Sequence, residues 1–447
     1  MKQRRPTYLV ILAILSTVSL SLASDASQLP DANNLTRLED YLRYAALNNA
    51  ALKASFETWK AAVEAVPQAK ALPDPKFTYG YFIKEMDTEQ QFELMQEFPW
   101  FGTIRARTDQ AAANANAAQK RYEAKKLELF QQVKHAFYEY GYLAKAIQIT
   151  NESLDLIKHF EQVARTKYAG ATSSHPDVIR AQIELAILED RLRSLRELRP
   201  AITAELNGIL NRPADANLPW PQPFEYQQTS IDFVKLYALI VQNNPDLKAV
   251  DYEIEAMRNA ETLAKKRSLP NIGVGVSFMD TAQATASGMS SNRENPILAT
   301  VSLNLPIWTE SYKAAERQAR AMLLGTRQDK IQLENTLGAE ARQLLYEFDD
   351  TVRKIRLYRD IVIPKTKEMV LASESAYQAA TIDFLSLIDA QDKLLNYELL
   401  YERAAAENAQ NLAKLERLAG TSLPTVDNSA GSQEPRETKT QKESADE

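Results

Sequence analysis

Tyr168-Ala169-Gly170-Ala171-Thr172, running on to Ile179-Arg180-Ala181-Gln182, returns as Tyr377-Gln378-Ala379-Ala380-Thr381 running to Ile388-Asp389-Ala390-Gln391. Tyrosine, Ala-Thr, isoleucine and Ala-Gln keep identical register about 209 residues apart, and Leu185/Leu394 and Glu189/Glu398 extend the match. Each copy lies between two long, polar-faced helical patterns. A duplication on this scale makes each half one structural unit.

Upstream, the halves match again. Asn48-Asn49 with Leu52-Lys53-Ala54 pairs with Asn243-Asn244 and Leu247-Lys248-Ala249. Leu72-Pro73 pairs with Leu269-Pro270, and Pro99 with Pro306. The offset grows by about ten between those last two pairs, so the second half carries a longer loop near Thr281 to Asn295. The resulting division is a segment 1–23, a first repeat 24–211, a linker 212–228, a second repeat 229–420 and a tail 421–447. Pro213, Pro219, Pro221 and Pro223 mark the linker.

Segment 1–23 reads as a signal peptide. Lys2, Arg4 and Arg5 precede a short apolar run, and Ser21 and Ala23 suit a cleavage site near Ala23. Its removal takes the formal net charge from −6 to about −9. A retained N-terminal membrane anchor is the alternative. The tail has almost no large apolar residues and cannot offset its ordering entropy, so disorder is expected there.

Composition excludes several classes of function. There is no cysteine, hence no disulfide, thiolate site or lipidated cysteine. The three histidines, His135, His159 and His175, are too few and scattered for a histidine-based site. An acidic chain is a poor nucleic-acid partner. No nucleophile–base pair or phosphate loop stands out, so no enzyme activity, no metal site and no cofactor are expected.

Each half parses alike: a helix (36–70; 232–267), two strand-like runs, a very long helix (103–168; 311–378), the reversing tip, and a returning helix (177–211; 386–418). A helix of 66 residues at ~1.5 Å each is a rod of roughly 100 Å. The two shorter helices of each half, stacked end to end, match its length and suit coiled-coil packing. Ala111, Ala112, Ala113, Ala115, Ala117 and Ala118 either permit close approach or form a surface of high helix propensity.

The strands carry the membrane signal. Phe77, Tyr79, Tyr81 and Ile83 alternate with Thr78, Gly80 and Phe82. Phe92, Leu94 and Phe98 alternate with Glu93, Met95 and Glu97; Ile272, Val274, Val276 and Phe278 with Gly273, Gly275 and Ser277; and Ala299, Val301, Leu303 and Leu305 with Leu298, Thr300, Ser302 and Asn304. These hairpins, about 75–98 and 271–306, have the length and alternation of tilted transmembrane strands. Each is isolated between helices, and four strands cannot close in lipid. Three chains would pool twelve. Two hairpins over an ordinary core is the bland alternative. Tyr79, Tyr81, Phe98, Trp100, Phe101 and Trp308 suit interfacial girdles, and Pro99 and Pro306 mark the switch from strand to helix.

In Gln96-Glu97-Phe98-Pro99-Trp100-Phe101-Gly102, Asn304-Leu305-Pro306, Pro364 and both tips, the chain resembles the TolC-like outer-membrane efflux family over about residues 36–420. Leu72-Pro73-Asp74-Pro75 looks most like the branch serving heavy-metal efflux pumps of the RND type. The resemblance implies a mainly α fold with a small transmembrane β part: duplicated long helical hairpins and two β-hairpins, assembled as a trimeric α-barrel on a twelve-stranded β-barrel. It implies a homotrimeric exit duct in the outer membrane, most of it periplasmic, working with a periplasmic adaptor and an inner-membrane pump. The tips Tyr168, Gly170, Ala171 and Thr172, and Tyr377, Ala380 and Thr381, would dock the adaptor. Asp177 and Asp389 would supply gate charge. Ser386 stands where an acid is usual, with Asp383 as a substitute. Ala171 and Ala380 stand where glycine is frequent.

Each acid also has a plain structural reading. Asp177 follows His175-Pro176 at a helix start, where it complements the dipole by ~0.3–1 kcal/mol. Asp389 faces either pore or solvent. The rival to the channel is a periplasmic helical-hairpin scaffold or adaptor, which should carry a compact β-rich domain instead of lipid-suited strands.

Overall fold

The structure is a computed structural model that describes residues 34–83, 89–171, 174–224, 226, 229–280 and 295–423. The signal segment, the tail from residue 424, most of both strand connections and Thr172 lie outside the described residues. Ten elements of helix and four strands account for most of the described chain.

The first half opens with α1 (Leu38–Asn48) and α2 (Ala50–Lys70), where the sequence predicts one helix. Asn49 makes the break. Its backbone turns out of the helix, its Oδ1 accepts from the Leu52 N–H at 2.9 Å, and its Nδ2 donates to the Ile209 carbonyl at 2.9 Å. The second half repeats the device at α5 (Phe233–Asn243) and α6 (Pro245–Lys266). Asn244 accepts from Asp246 N and Leu247 N at 3.0 and 3.1 Å and donates to the Leu418 carbonyl at 3.0 Å. An asparagine therefore starts the second helix and holds the end of the returning helix against it. This joint stacks the two short helices of each half end to end.

The returning helices are α4 (His175–Ile209) and α9 (Phe384–Ala419). Asn211 beyond the first and Gly420 beyond the second are left-handed, φ +57° and +69°. A Cβ at Gly420 would stand 2.6 Å from the Asn243 carbonyl oxygen, so glycine is required by both conformation and space.

The long rods differ. α3 runs unbroken from Thr103 to Ala169, about 100 Å. Its counterpart is divided into α7 (Thr309–Leu357), a π-helical turn Tyr358–Val362 and α8 (Ile363–Gln378). Pro364 explains the departure. It has no N–H for the carbonyl four residues back, and its ring crowds that turn, so the ladder widens. α3 packs against α2, α4, α6 and α9 and is the axis of the chain. Ala113, Ala115 and Ala117 are buried along it, which favours the close-approach reading of the alanine run.

The strands β1 (Lys76–Tyr81), β2 (Gln90–Phe98), β3 (Ile272–Asp280) and β4 (Ile297–Leu303) form one antiparallel sheet in that order. The two hairpins are thus not isolated, as the sequence suggested: β2 of the first pairs with β3 of the second along nine residues. Phe82, Ile83 and Leu305 fall outside the strands.

The largest apolar core joins both tips. Ile157 and Phe160 of α3, Leu188 of α4, Tyr377 of α8 and Phe384 and Leu387 of α9 all belong to it. Two further cores serve one half each. Leu206, Leu210 and Leu218 pack with Tyr41 and Tyr140 in the first, and Leu415, Leu418 and Leu423 with Leu236 and Phe348 in the second. Leu423 lies within the segment read as tail, yet it is buried.

Candidate transport duct: the sheet and the helical tips

Pairing register decides what each face of the sheet can touch, because alternate residues share a face. One set of cross-strand rows is Phe77–Leu94–Val276–Ala299, Tyr79–Phe92–Phe278–Ile297, Gln96–Val274–Val301 and Phe98–Ile272–Leu303. The end row Tyr81–Gln90–Asp280 shares this face, and apart from Gln96, Gln90 and Asp280 its members are apolar or aromatic. Phe77 is 64% and Val301 72% exposed in the single chain. The opposite face carries Thr78–Glu93–Ser277–Leu298, Lys76–Met95–Gly275–Thr300 and Glu97–Gly273–Ser302. There Gln91 Nε2 donates to Ser277 Oγ at 3.0 Å, and Ser302 Oγ lies over Gly273 beside Met95. The sheet has one mostly apolar face and one mostly polar face, with β1 and β4 as its edges among the described residues.

Pro99 follows the last residue of β2, and Pro306 lies between β4 and α7. Gly102, at φ +79°, turns the chain into α3, and Lys266 Nζ donates to the Phe101 carbonyl at 2.9 Å. Phe101 and Trp308, 77% and 71% exposed, lie where the chain passes from the sheet into α3 and α7.

At the other end of the molecule, Ala171 and Ala380 both adopt left-handed backbone, φ +58° and +57°. That conformation ends each long helix and explains why glycine is favoured there. Gly170 caps α3, and Thr381 N and Oγ1 both donate to the Ala376 carbonyl. Tyr377 is buried against Phe384, whereas Tyr168 is half exposed beside His175.

The three candidate gate acids have local partners. Asp177 sits in the first turn of α4 and accepts from the Ser174 backbone N–H at 3.4 Å, half of a capping box. Asp383 is the N-cap of α9, accepting from Ser386 N at 2.9 Å and Ser386 Oγ at 2.6 Å. The Ser386 hydroxyl, then its N–H, hold the Asp383 carboxyl below the usual range. Ser386 and Asp383 are therefore one unit. Asp389 is exposed on α9 and pairs with Lys393 one turn on, at 2.6 Å. The structure brings Asp383 and Asp389 onto the same end of α9, with Asp177 at the matching end of α4.

Sequence reasoning missed Lys167. From the first tip its Nζ reaches the carbonyls of Tyr377 and Gln378 and lies 4.5 Å from the centre of the Tyr377 ring. It places a cation on the carbonyl end of α8, tying the two tips together. His159 Nε2 and Glu374 Oε1, 3.2 Å apart, form a second tie. Position 167 is one before the repeated tyrosine; its counterpart, Ala376, has no charge, an asymmetry visible on aligning the halves.

A family model described as "Outer membrane efflux protein" matches residues 42–212 and 236–421. The chain belongs to this family. Its members are passive outer-membrane channels, not enzymes. An uncharacterized protein of Haemophilus influenzae is 24% identical over 202 residues, 44% of this chain and 43% of that protein. The cobalt-zinc-cadmium resistance protein CzcC of Cupriavidus metallidurans is 21% identical over 397 residues, covering 86% of this chain and 90% of that one. The solved structure of the outer-membrane channel OprN superposes with a TM-score of 0.73 at 16% identity, over 86% of this chain and 89% of that one.

Proposed function

We propose that the protein is the outer-membrane exit duct of a tripartite efflux system, a homotrimer whose substrates are handed over by an inner-membrane pump of the RND type through a periplasmic adaptor. The carrying observation is the four-stranded sheet with one predominantly apolar face, polar only at Gln96 and the Gln90–Asp280 end, and two edge strands. In hydrocarbon every backbone N–H and C=O needs a partner, so free edges demand neighbouring copies. Three copies give twelve strands, within the range of closed barrels. Apolar rows then face lipid, and the glycine- and serine-bearing face lines the lumen. The helices continue the wall into the periplasm. Likeness to CzcC supports metal cations as cargo, with small toxic compounds as the other class. The duct needs no binding site for either, since the pump selects.

The tips form the periplasmic entrance and the adaptor-docking surface in this reading. Threefold symmetry gathers three copies of Asp389, Asp383 and Asp177 near one axis. Their field draws cations and their mutual repulsion favours opening. Lys393 offsets part of the Asp389 charge, and an exposed pair of that kind contributes at most ~1 kcal/mol. Lys167 and the shared tip core oppose the repulsion. An adaptor opens the mouth by binding the open form better. Fractionation tests the reading: the protein should appear in the outer-membrane fraction as a heat-modifiable trimer, and a soluble periplasmic monomer would refute it.

A further inference from the structure

Two acids occupy positions in the helix–helix seam where hydrocarbon is the rule. Glu184 of α4 lies one turn from buried Ala181 on one side and buried Leu188 on the other. Asp392 of α9 lies likewise between buried Ile388 and Leu395. Residues three and four apart share a helix face, so both carboxyls point into the seam rather than away from it. Ala181, Leu188, Ile388 and Leu395 belong to one apolar core shared by the two helices, and the two carboxyls lie within hydrogen-bond reach of each other there. A hydrogen bond between two carboxyl groups requires that one keep its proton.

We propose that Glu184 and Asp392 form a proton-operated latch between the two returning helices, shut while the pair shares a proton and released when both carboxylates ionise. This rests on the tips being the entrance of the duct. Burial, the dominant cause, pushes both carboxyls up. The surrounding charges do not cancel this. On α9, Asp389 adds repulsion and is itself engaged by Lys393; on α4, Arg191 acts in the opposite sense on Asp392. α3 contributes Glu161, paired with Arg165 and approached by Gln182 at 3.4 Å. On α8, Lys367 is engaged by Glu398 and Glu374 by His159. The sign follows from linkage. A group whose proton is held more tightly in the closed seam stabilises that seam at low pH, and the stabilisation is lost as pH rises through the raised titration. Two adjacent carboxylates then repel across a partly desolvated seam.

The test uses the full-length trimer in planar bilayers, titrated from mildly acidic to mildly alkaline pH. The wild-type open-to-closed ratio should rise by up to about tenfold per pH unit for each shared proton released. E184Q/D392N keeps an amide hydrogen bond at every pH, so it should stay mostly closed with a flat profile. Asp389→Asn removes the repulsion on Asp392, so it should move the midpoint to lower pH but keep a pH slope. A double variant with the wild-type profile, or a slope abolished by Asp389→Asn alone, overturns the latch. Infrared difference spectra give a readout independent of conduction. Wild type should show a protonated-carboxyl C=O band on the acidic, closed side of its titration that E184Q/D392N lacks, and absence of that band in wild type also overturns the proposal. A trimer that never conducts at any pH counts against the duct, while the band still decides on the shared proton.

Discussion

Asn244→Ala should be among the most destabilising single changes in the chain, and the structure says by how much. Asn244 is 2% exposed and makes three bonds: its oxygen caps α6 through Asp246 N and Leu247 N, and its amide donates to the Leu418 carbonyl. Losing an N-cap costs typically ~1 kcal/mol. Leaving the Leu418 carbonyl buried without its donor costs a further ~1–3 kcal/mol. The sum is about 2–4 kcal/mol. Asn49→Ala removes the corresponding bonds at a half-buried site where water can substitute, so its cost should be about 1–2 kcal/mol. Asn244→Asp separates the two roles. Aspartate is as good a cap, but it presents a carboxylate to the Leu418 carbonyl, so it should be at least as damaging as alanine. The assay is the urea midpoint of helical circular dichroism for detergent-solubilised trimer, compared at fixed protein concentration because assembly contributes. Asn244→Ala within about 0.5 kcal/mol of wild type would refute the reasoning, since that is the scale of ordinary surface changes. Wild-type stability for Asn244→Asp would show that the bond to Leu418 carries nothing.

Ala380→Gly should stabilise the second tip by about 1 kcal/mol, because glycine adopts its left-handed backbone without a Cβ clash; Ala380→Val should do the reverse, and equal midpoints for all three would deny the strain. The strand connections and the tips should lie on opposite sides of the outer membrane. A membrane-impermeant thiol reagent on intact cells should label Ser290→Cys and spare Ser174→Cys, and labelling of the latter alone would invert the topology. Asp389→Asn should weaken cation block of single channels with little effect on trimer stability. Unchanged block and conductance would remove Asp389 from the entrance.

Much of this fold is legible in the sequence because it is written twice. The tip repeat gives the two hairpins, and the long polar-faced patterns give rods of roughly the observed length. Two of the features it hides are local exceptions to periodicity. The break at Asn49 and Asn244 leaves the apolar spacing of α1–α2 and α5–α6 nearly unchanged, since a capped kink costs no residue. The paired Asn-Asn motifs were visible but give no sign that the side chain reaches a helix end some 160–174 residues away. The π turn at Tyr358–Val362 is a single widened turn inside an otherwise regular helix, signalled only by Pro364. Pairing of β2 with β3 is long-range and has no local signal. At the tips, composition identifies acids near helix starts, but not that Asp177 and Asp383 serve as caps. Lys167 escaped because a lysine in a polar helix is unremarked until its partner carbonyls are known.

In the proposed duct one face of the sheet meets lipid and the other a lumen. Arginine scanning of β4 tests it most directly. Val301 stands on the apolar face in the row Gln96–Val274–Val301, whereas Thr300 stands on the opposite face across from Gly275. Arginine facing lipid near the bilayer midplane costs ~2–4 kcal/mol, while lumen substitutions alter selectivity more than stability. Val301→Arg should therefore reduce the heat-modifiable trimer in outer-membrane fractions severely, and Thr300→Arg should assemble close to wild-type levels. Equal assembly of both variants, or loss confined to Thr300→Arg, would contradict the account.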